Sequence, residues 1–325
     1  TAGTGTEVGR GSLVTMASGQ KLAIISPHII PNWSIVDPEL TLGLPSFLTA
    51  ATGMDALSHC VETAISRVYN PVAEAIALDG LKRGWENLRI AFGNPFDIAA
   101  RTEMMMSAMQ GALSFQKGLG MVHSISHPLG ALQDRKLHHG TLNSVLMPHV
   151  LRFNEPECRL AVEKINDMLG LSGGAEGLAS AFSQYSEALN LPASLSSMGV
   201  EREDLVGIEP LAVADHCSLT NPVDVTEQGV AEVLQTIRGP CRENAPIHFC
   251  AWAAEMYVAA TRHDQLHDTR CRRLATPTGH SILAHCAAIF LPVRSRGELA
   301  NSLEDLAAGC FVWQTCEDDV NDDMV

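Results

Sequence analysis

Pro45-Ser-Phe-Leu-Thr-Ala-Ala-Thr-Gly-Met-Asp-Ala-Leu-Ser-His-Cys-Val-Glu-Thr-Ala-Ile-Ser66 is the stretch from which the rest of the chain can be read. Apolar residues recur at Met54, Leu57, Val61 and Ile65, the spacing of one face of a helix. Asp55 and His59 stand four apart, so a helix turns both side chains the same way and both can reach one ion. An exposed ion pair on a helix has the same spacing. Downstream, His123 and His139 follow, and the motifs around all four residues decide between the two readings. One carboxylate and three imidazoles make a hard-to-borderline donor set suited to Fe²⁺ or Zn²⁺.

The helical texture continues. Residues 71–92, 95–116, 157–169, 175–189, 203–217 and 226–236 carry apolar residues at helical spacing. Asn70-Pro71, Asn94-Pro95 and Thr226-Glu227 are ordinary helix-start signals. Residues 1–45 read differently: 12–16 and 21–25 as strands with Gly19 supplying the turn, and 34–38 as a third strand ended by Pro38. After Arg238 the composition shifts toward Cys, His and Arg and closes on the acidic run at 317–323. Candidate helices there are 249–262 and 297–314; read-through sequence would show the same bias. His263 and His267 also stand four apart, with no second pair to complete a familiar metal motif. The expected division is therefore 1–45 as strands and turns, 46–238 as an all-helical domain, and 239–325 as a C-terminal extension. The expected fold class is mainly α.

Composition bounds the function. At 325 residues, 46% of them hydrophobic, the chain can bury one large or two ordinary cores. No apolar run reaches the length of a membrane span and no charged-then-apolar leader opens the sequence, so a cytoplasmic protein is the expectation. A formal charge of −15 repels phosphate backbones and argues against a nucleic-acid partner. The nine cysteines form no C-x-x-C, which leaves out zinc ribbons and thioredoxin-type sites and fits a reduced chain with free thiols. His149, after Pro148, reads as a packed structural histidine.

Five segments carry a resemblance. They are Thr1-Ala-Gly-Thr-Gly-Thr-Glu7, Val36-Asp-Pro-Glu-Leu-Thr41 and Leu48-Thr-Ala-Ala-Thr-Gly-Met-Asp-Ala-Leu57. Gly118-Leu-Gly-Met-Val-His-Ser-Ile-Ser-His-Pro-Leu-Gly130 and Leu137-His-His-Gly-Thr-Leu-Asn143 complete the set. In this order, from Thr1 to about Ile237, they resemble the iron-dependent (group III) alcohol dehydrogenases. The resemblance implies a helical metal-binding domain preceded by a remnant of an α/β nucleotide-binding domain. It also implies an enzyme: a metal-dependent oxidoreductase using Fe²⁺ or Zn²⁺ and NAD(P) on a small alcohol or carbonyl substrate. The family holds its metal with the Asp and His of D-A-L-x-H, the first His of H-x-x-x-H-P and the His of a later H-G. Here these are Asp55, His59, His123 and His139. The segment before the last ligand is slightly longer than in the lactaldehyde-reductase branch and ends in two histidines. Gly140 follows His139 directly, so His139 is preferred and His138 is the fallback. His127 matches a histidine the family places by the metal and implicates in proton transfer.

Thr1, Thr4 and Lys21 match positions near the bound cofactor; as residues alone they are turn hydroxyls and a strand-end charge. The family's Gly-Gly-Gly-Ser phosphate loop normally lies well before the first of these motifs, and Gly3-Thr-Gly5 fails G-x-G-x-x-G because position 8 is Val. The chain by itself is therefore expected to bind NAD(P) poorly. Two other readings stay open. A metal-activated water makes a metal-dependent hydrolase chemically reasonable, and Ser114-Phe-Gln-Lys117 fits S-x-x-K, although no G-x-S-x-G exists. An inactive fragment is the third. Neither nucleic acid nor membrane is an expected partner, and a homo-oligomer is left open.

Overall fold

The computed structural model describes residues 3–15, 21–132 and 135–238, without the side chains of residues 13, 15 and 21–23. The expectations for 239–325, including both candidate helices and the His263/His267 pair, lie outside the described residues, as do Thr1 and the side chain of Lys21.

Helix α1 (Ser46–Ile65) is the central element, and nearly every residue from Thr49 onward is buried. A helix buried on all sides is one surrounded by others. Its neighbours are α2 (Pro71–Gly93), α3 (Ile98–Leu113) and α5 (His139–Leu169). The short α4 (Met121–Leu129) packs on α5 and on α7 (Ile208–Ala214). Helices α6 (Gly174–Ala188) and α8 (Glu227–Ile237) close the far side of α5. Met54, Leu57, Leu88, Leu146, Leu151 and Phe182 are fully buried between these helices. Each such side chain contributes about 1.5–3 kcal/mol relative to exposure.

Helix starts follow from local chemistry. The side chains of Asn70, Asp97 and Thr226 accept from Ala73 N, Ala100 N and Gly229 N, satisfying donors that the first turn leaves free. Before the helices, β1 (Gly11–Thr15) pairs antiparallel with β2 (Lys21–Ile25), with Gly11 opposite Ile25 and Thr15 opposite Lys21.

The structure corrects four boundaries. Residues 34–37 are not a strand: Asp37 accepts from Glu39 N and opens a 3-10 turn, Pro38–Thr41, and Ile35 is left largely exposed. The helix read from residue 95 starts at Ile98 because Asp97, not Asn94, caps it, and it ends in a 3-10 turn, Ser114–Lys117. The helix read from 157 begins at His139 and runs through Pro148 and Pro156. Each proline removes one backbone bond, but a buried stripe from Leu142 to Ile165 carries the helix past both. Residues 203–217 break into a 3-10 turn, α7 and a second 3-10 turn, because Gly207 takes φ 84° and Asp215 caps Cys217 N. Among the described residues no helix is long and apolar enough to cross a membrane.

One glycine sets how closely α5 approaches α1. A Cβ on Gly140 would lie 2.0 Å from the Ala51 carbonyl oxygen and 3.2 Å from Asp55 Cβ. Backbone cannot step aside as a side chain can. Gly140→Ala is expected to cost on the order of 1–3 kcal/mol through overpacking, whereas Gly93→Ala, with nothing within 4 Å of its Cβ, should be near neutral. Urea midpoints of the two variants check this; equal midpoints would reject the close contact.

Candidate metal centre

Three helices bring the candidate residues together. The middle of α1 supplies Asp55 and His59, α4 supplies His123 and His127, and the first turn of α5 supplies His139 and Asn143. Asp55 Oδ1 lies 3.5 Å from His59 Nε2, 3.8 Å from His123 Nε2 and 3.6 Å from His139 Nε2. Donors bound to one metal at about 2.0–2.2 Å stand roughly 3.3–3.5 Å apart when tetrahedral. Donor atoms of Asp55, His59 and His123 all fall within 4.8 Å of one another. Asp55, His59 and His123 are buried, and the His139 side chain keeps 30% exposure, leaving one open flank.

His138 takes a different direction. It is the N-cap residue of α5, and its ring meets Phe47 edge-on at 6.0 Å while His139 turns toward Asp55. The helix start thus separates the two adjacent rings and favours His139.

Asn143, one turn into α5, reaches the same point. Its Nδ2 donates to Asp55 Oδ1 at 2.8 Å and stands 3.2 Å from His123 Nε2 and 3.3 Å from His139 Nε2. Its Oδ1 is buried without a hydrogen-bond partner. Four convergent donors, one of them a buried carboxylate, fit a divalent cation.

Electrostatics follow the burial. Burial works to raise the Asp55 carboxyl, but the facing His59, His123 and His139 outweigh it and hold it well below the carboxylate range. Burial pushes His59 down to about 4 against the pull of Asp55. His123 goes the other way: burial opposes its charge, yet Glu62 and Asp55 raise it to about 9. Burial likewise holds His139 well below the ordinary imidazole value.

His127 stands beside the cluster. Its Nδ1 pairs with Asp215 Oδ2 at 2.8 Å, and its ring stacks on those of His139 (5.5 Å) and His216 (6.0 Å). Thr4 is exposed and Lys21 opens β2; neither placement speaks to a cofactor. The S-x-x-K reading does not survive. Ser114 Oγ donates to Gly111 O, while Lys117 Nζ donates to Ala64 O at 2.8 Å and to Glu74 at 3.0 Å. His149 is partly buried.

Sequence reasoning missed Glu62, Asn143 and Asp215. The first two left a signal: Glu62 follows Asp55 by seven and His59 by three, and Asn143 follows His139 by four, all same-face spacings. Asp215 is distant in sequence and left none.

Comparison with known proteins places the chain in a family. A family model described as "Fe-containing alcohol dehydrogenase family, C-terminal" matches residues 49–238. The 4-hydroxybutyrate dehydrogenase of Cupriavidus necator is 45% identical over 242 residues, 72% of this chain and 63% of that protein. The NAD-dependent methanol dehydrogenase of Bacillus methanolicus is 37% identical over 244 residues, 72% and 64% of the two chains. Among solved structures, a 1,3-propanediol oxidoreductase aligns with a TM-score of 0.69 at 34% identity, covering 73% of this chain and 64% of that one. The chain thus spans just under two thirds of the length of these relatives.

A second group lies alongside: His127, Asp215 and Cys217 also have donor atoms within 4.8 Å of one another, and Cys217 Sγ is 3.5 Å from His216 Nε2. The thiol is not a nucleophile in waiting. Burial, then Asp215, pushes it well above its ordinary value, and a protonated buried thiol is inert. Burial also pushes Cys60 to about 12 and Cys158 to about 11. Iodoacetamide at about pH 8 should leave Cys60, Cys158 and Cys217 unmodified in the native protein and label all three after unfolding, as read by peptide mass spectrometry. Fast native labelling of Cys217 would contradict its burial.

Proposed function

This chain belongs to the Fe-containing alcohol dehydrogenase family, and we propose that residues 46–238 form the metal-binding catalytic domain of an NAD(P)-dependent alcohol dehydrogenase. The observation that carries the reading is the convergence of Asp55 Oδ1 with the Nε2 atoms of His59, His123 and His139. In this reading residues 1–45 belong to the nucleotide side and 239–325 form an extension. The printed names of the relatives, methanol and 4-hydroxybutyrate dehydrogenases among them, support a small alcohol or its carbonyl counterpart as substrate.

Asp55, His59, His123 and His139 would hold one Fe²⁺ or Zn²⁺. When bound, such an ion supplies a Lewis acid to the substrate oxygen, and NAD(P) supplies the hydride acceptor or donor. The chain's own residues do the rest. Asp55 contributes the only negative donor of the set, fixing the cluster's charge. The partly exposed His139 flank leaves an approach for substrate. His127, oriented through Nδ1 by Asp215, presents Nε2 as the group that takes the alcohol proton and returns it in the reverse direction. Thr1, Thr4 and Lys21 are the proposed cofactor contacts.

Metal content tests the ligand set. His59→Ala and His123→Ala should each weaken Zn²⁺ binding by at least roughly tenfold, with stoichiometry falling from one ion per chain after dialysis. Unchanged stoichiometry in both rejects the site. Affinity should also depend on pH in a stated direction. His123, raised to about 9, is a cation below that value, and its Nε2 proton occupies the lone pair a metal needs. Zn²⁺ affinity of the chelator-treated protein should therefore rise about tenfold per pH unit from about pH 7 toward 9. A flat profile would place the displaced proton elsewhere.

Activity tests the chemistry. NAD(P)-linked oxidation of a short alcohol should require the ion, and His127→Ala should lower kcat about 100-fold with little change in KM. Ion-dependent turnover that ignores His127 would remove its proton role.

A further inference from the structure

We propose that Glu62 is the positioning residue that makes His123 a metal ligand, by fixing its tautomer and tying its helix to α1. This rests on the metal centre proposed above and adds a residue on the far side of the ring. Glu62 is buried, as is His123. Its Oε2 forms a short contact with His123 Nδ1, and its Oε1 accepts from Val122 N at 2.7 Å. One carboxylate therefore grips both the ring and the backbone one residue earlier. With the Nδ1 proton directed at Glu62, Nε2, the atom that faces Asp55, is the nitrogen whose lone pair a metal takes once its own proton is displaced.

The start of α4 is built for this grip. Gly120, its N-cap residue, offers no side chain to cap the helix. The caps come from elsewhere: Glu62 of α1 takes Val122 N, and Asn221 Oδ1 takes Met121 N at 3.0 Å. A Cβ on Gly120 would lie 2.7 Å from Asn221 Oδ1 and 3.0 Å from Glu62 Oε1, so the two caps occupy the space a side chain would need. Asn221 is itself held by Asn154 Nδ2 at 3.0 Å, and it returns a bond to Asn154 Oδ1 at 2.7 Å. Among the proposed ligands, His123 has its outer nitrogen held by a buried carboxylate.

Glu62→Gln in the full chain tests the assignment. Zn²⁺ affinity by chelator competition should fall about 10- to 100-fold, and the visible bands of the Co²⁺-loaded protein should shift. Far-UV circular dichroism separates these effects from misfolding. Unchanged affinity and an unchanged Co²⁺ spectrum overturn the proposal while leaving the metal centre standing. Wild-type protein that binds no metal overturns both. Should Glu62→Gln fail to fold, nitrogen-15 spectra of the Zn²⁺-loaded wild type decide. A His123 ring protonated at Nδ1 and bound through Nε2 supports the proposal, and the opposite tautomer overturns it.

Discussion

A carboxylate buried in the middle of a helical core governs this molecule. Asp55 sits halfway along α1, surrounded by packed helices, where an uncompensated charge costs several kcal/mol. It nevertheless stays ionised, because three imidazoles and the Asn143 amide face it. Every element that supplies those groups has to come close to α1. Two of them arrive by their N-terminal ends, α4 at Glu62 and α5 at Asp55, so helix ends of partial positive charge meet buried negative side chains. The fold and the candidate centre therefore share one electrostatic requirement.

Close approach has its own geometry. The first turn of α5 lies against the α1 backbone at Ala51, a position that tolerates only glycine on the α5 side. The residue before that glycine is His139, so the contact that seats the helix also turns the His139 ring toward Asp55. The following residues, Leu142 to Ile165, bury deeply enough to carry α5 through two prolines. Tertiary burial outweighs a local breaker here.

Much of this was legible in the sequence, for identifiable reasons. Helix identity followed from periodicity because most helices are long and amphipathic or wholly apolar, as in α1, α2, α6 and α8. That Asp55 and His59 share a face followed from their spacing on one helix, but the spacing fitted an ion pair equally, and the surrounding motifs pointed to a metal. Elements fixed by tertiary context were not legible. The continuation of α5 through Pro148 and Pro156 depends on what packs around it. The 34–37 segment has strand-like residues but no partner among the described residues, and Asp37 finds a cap instead. Asp215 reaches His127 across 88 positions, a contact that no local pattern announces. Glu62 and Asn143 stood on the right faces of their helices, but a carboxylate and an amide on a helix face are common. Only burial beside an imidazole gives them weight.

His123 and His127, one turn apart on α4, sit in different surroundings, and the proposed function gives them different tasks. Each pairs its Nδ1 with a carboxylate, Glu62 for the first and Asp215 for the second. The difference lies in water. His123 and Glu62 are sealed from solvent, so the proton between them has no ready exchange partner and the ring's orientation is fixed; that suits a ligand, which must not move. His127 and Asp215 are partly exposed, with side-chain accessibilities of 11% and 15%. A proton there can pass to solvent. A group that must load and unload a proton in each turnover needs such an outlet. In the proposed reading, burial more than residue type would sort these two His–carboxylate pairs into a metal holder and a proton relay.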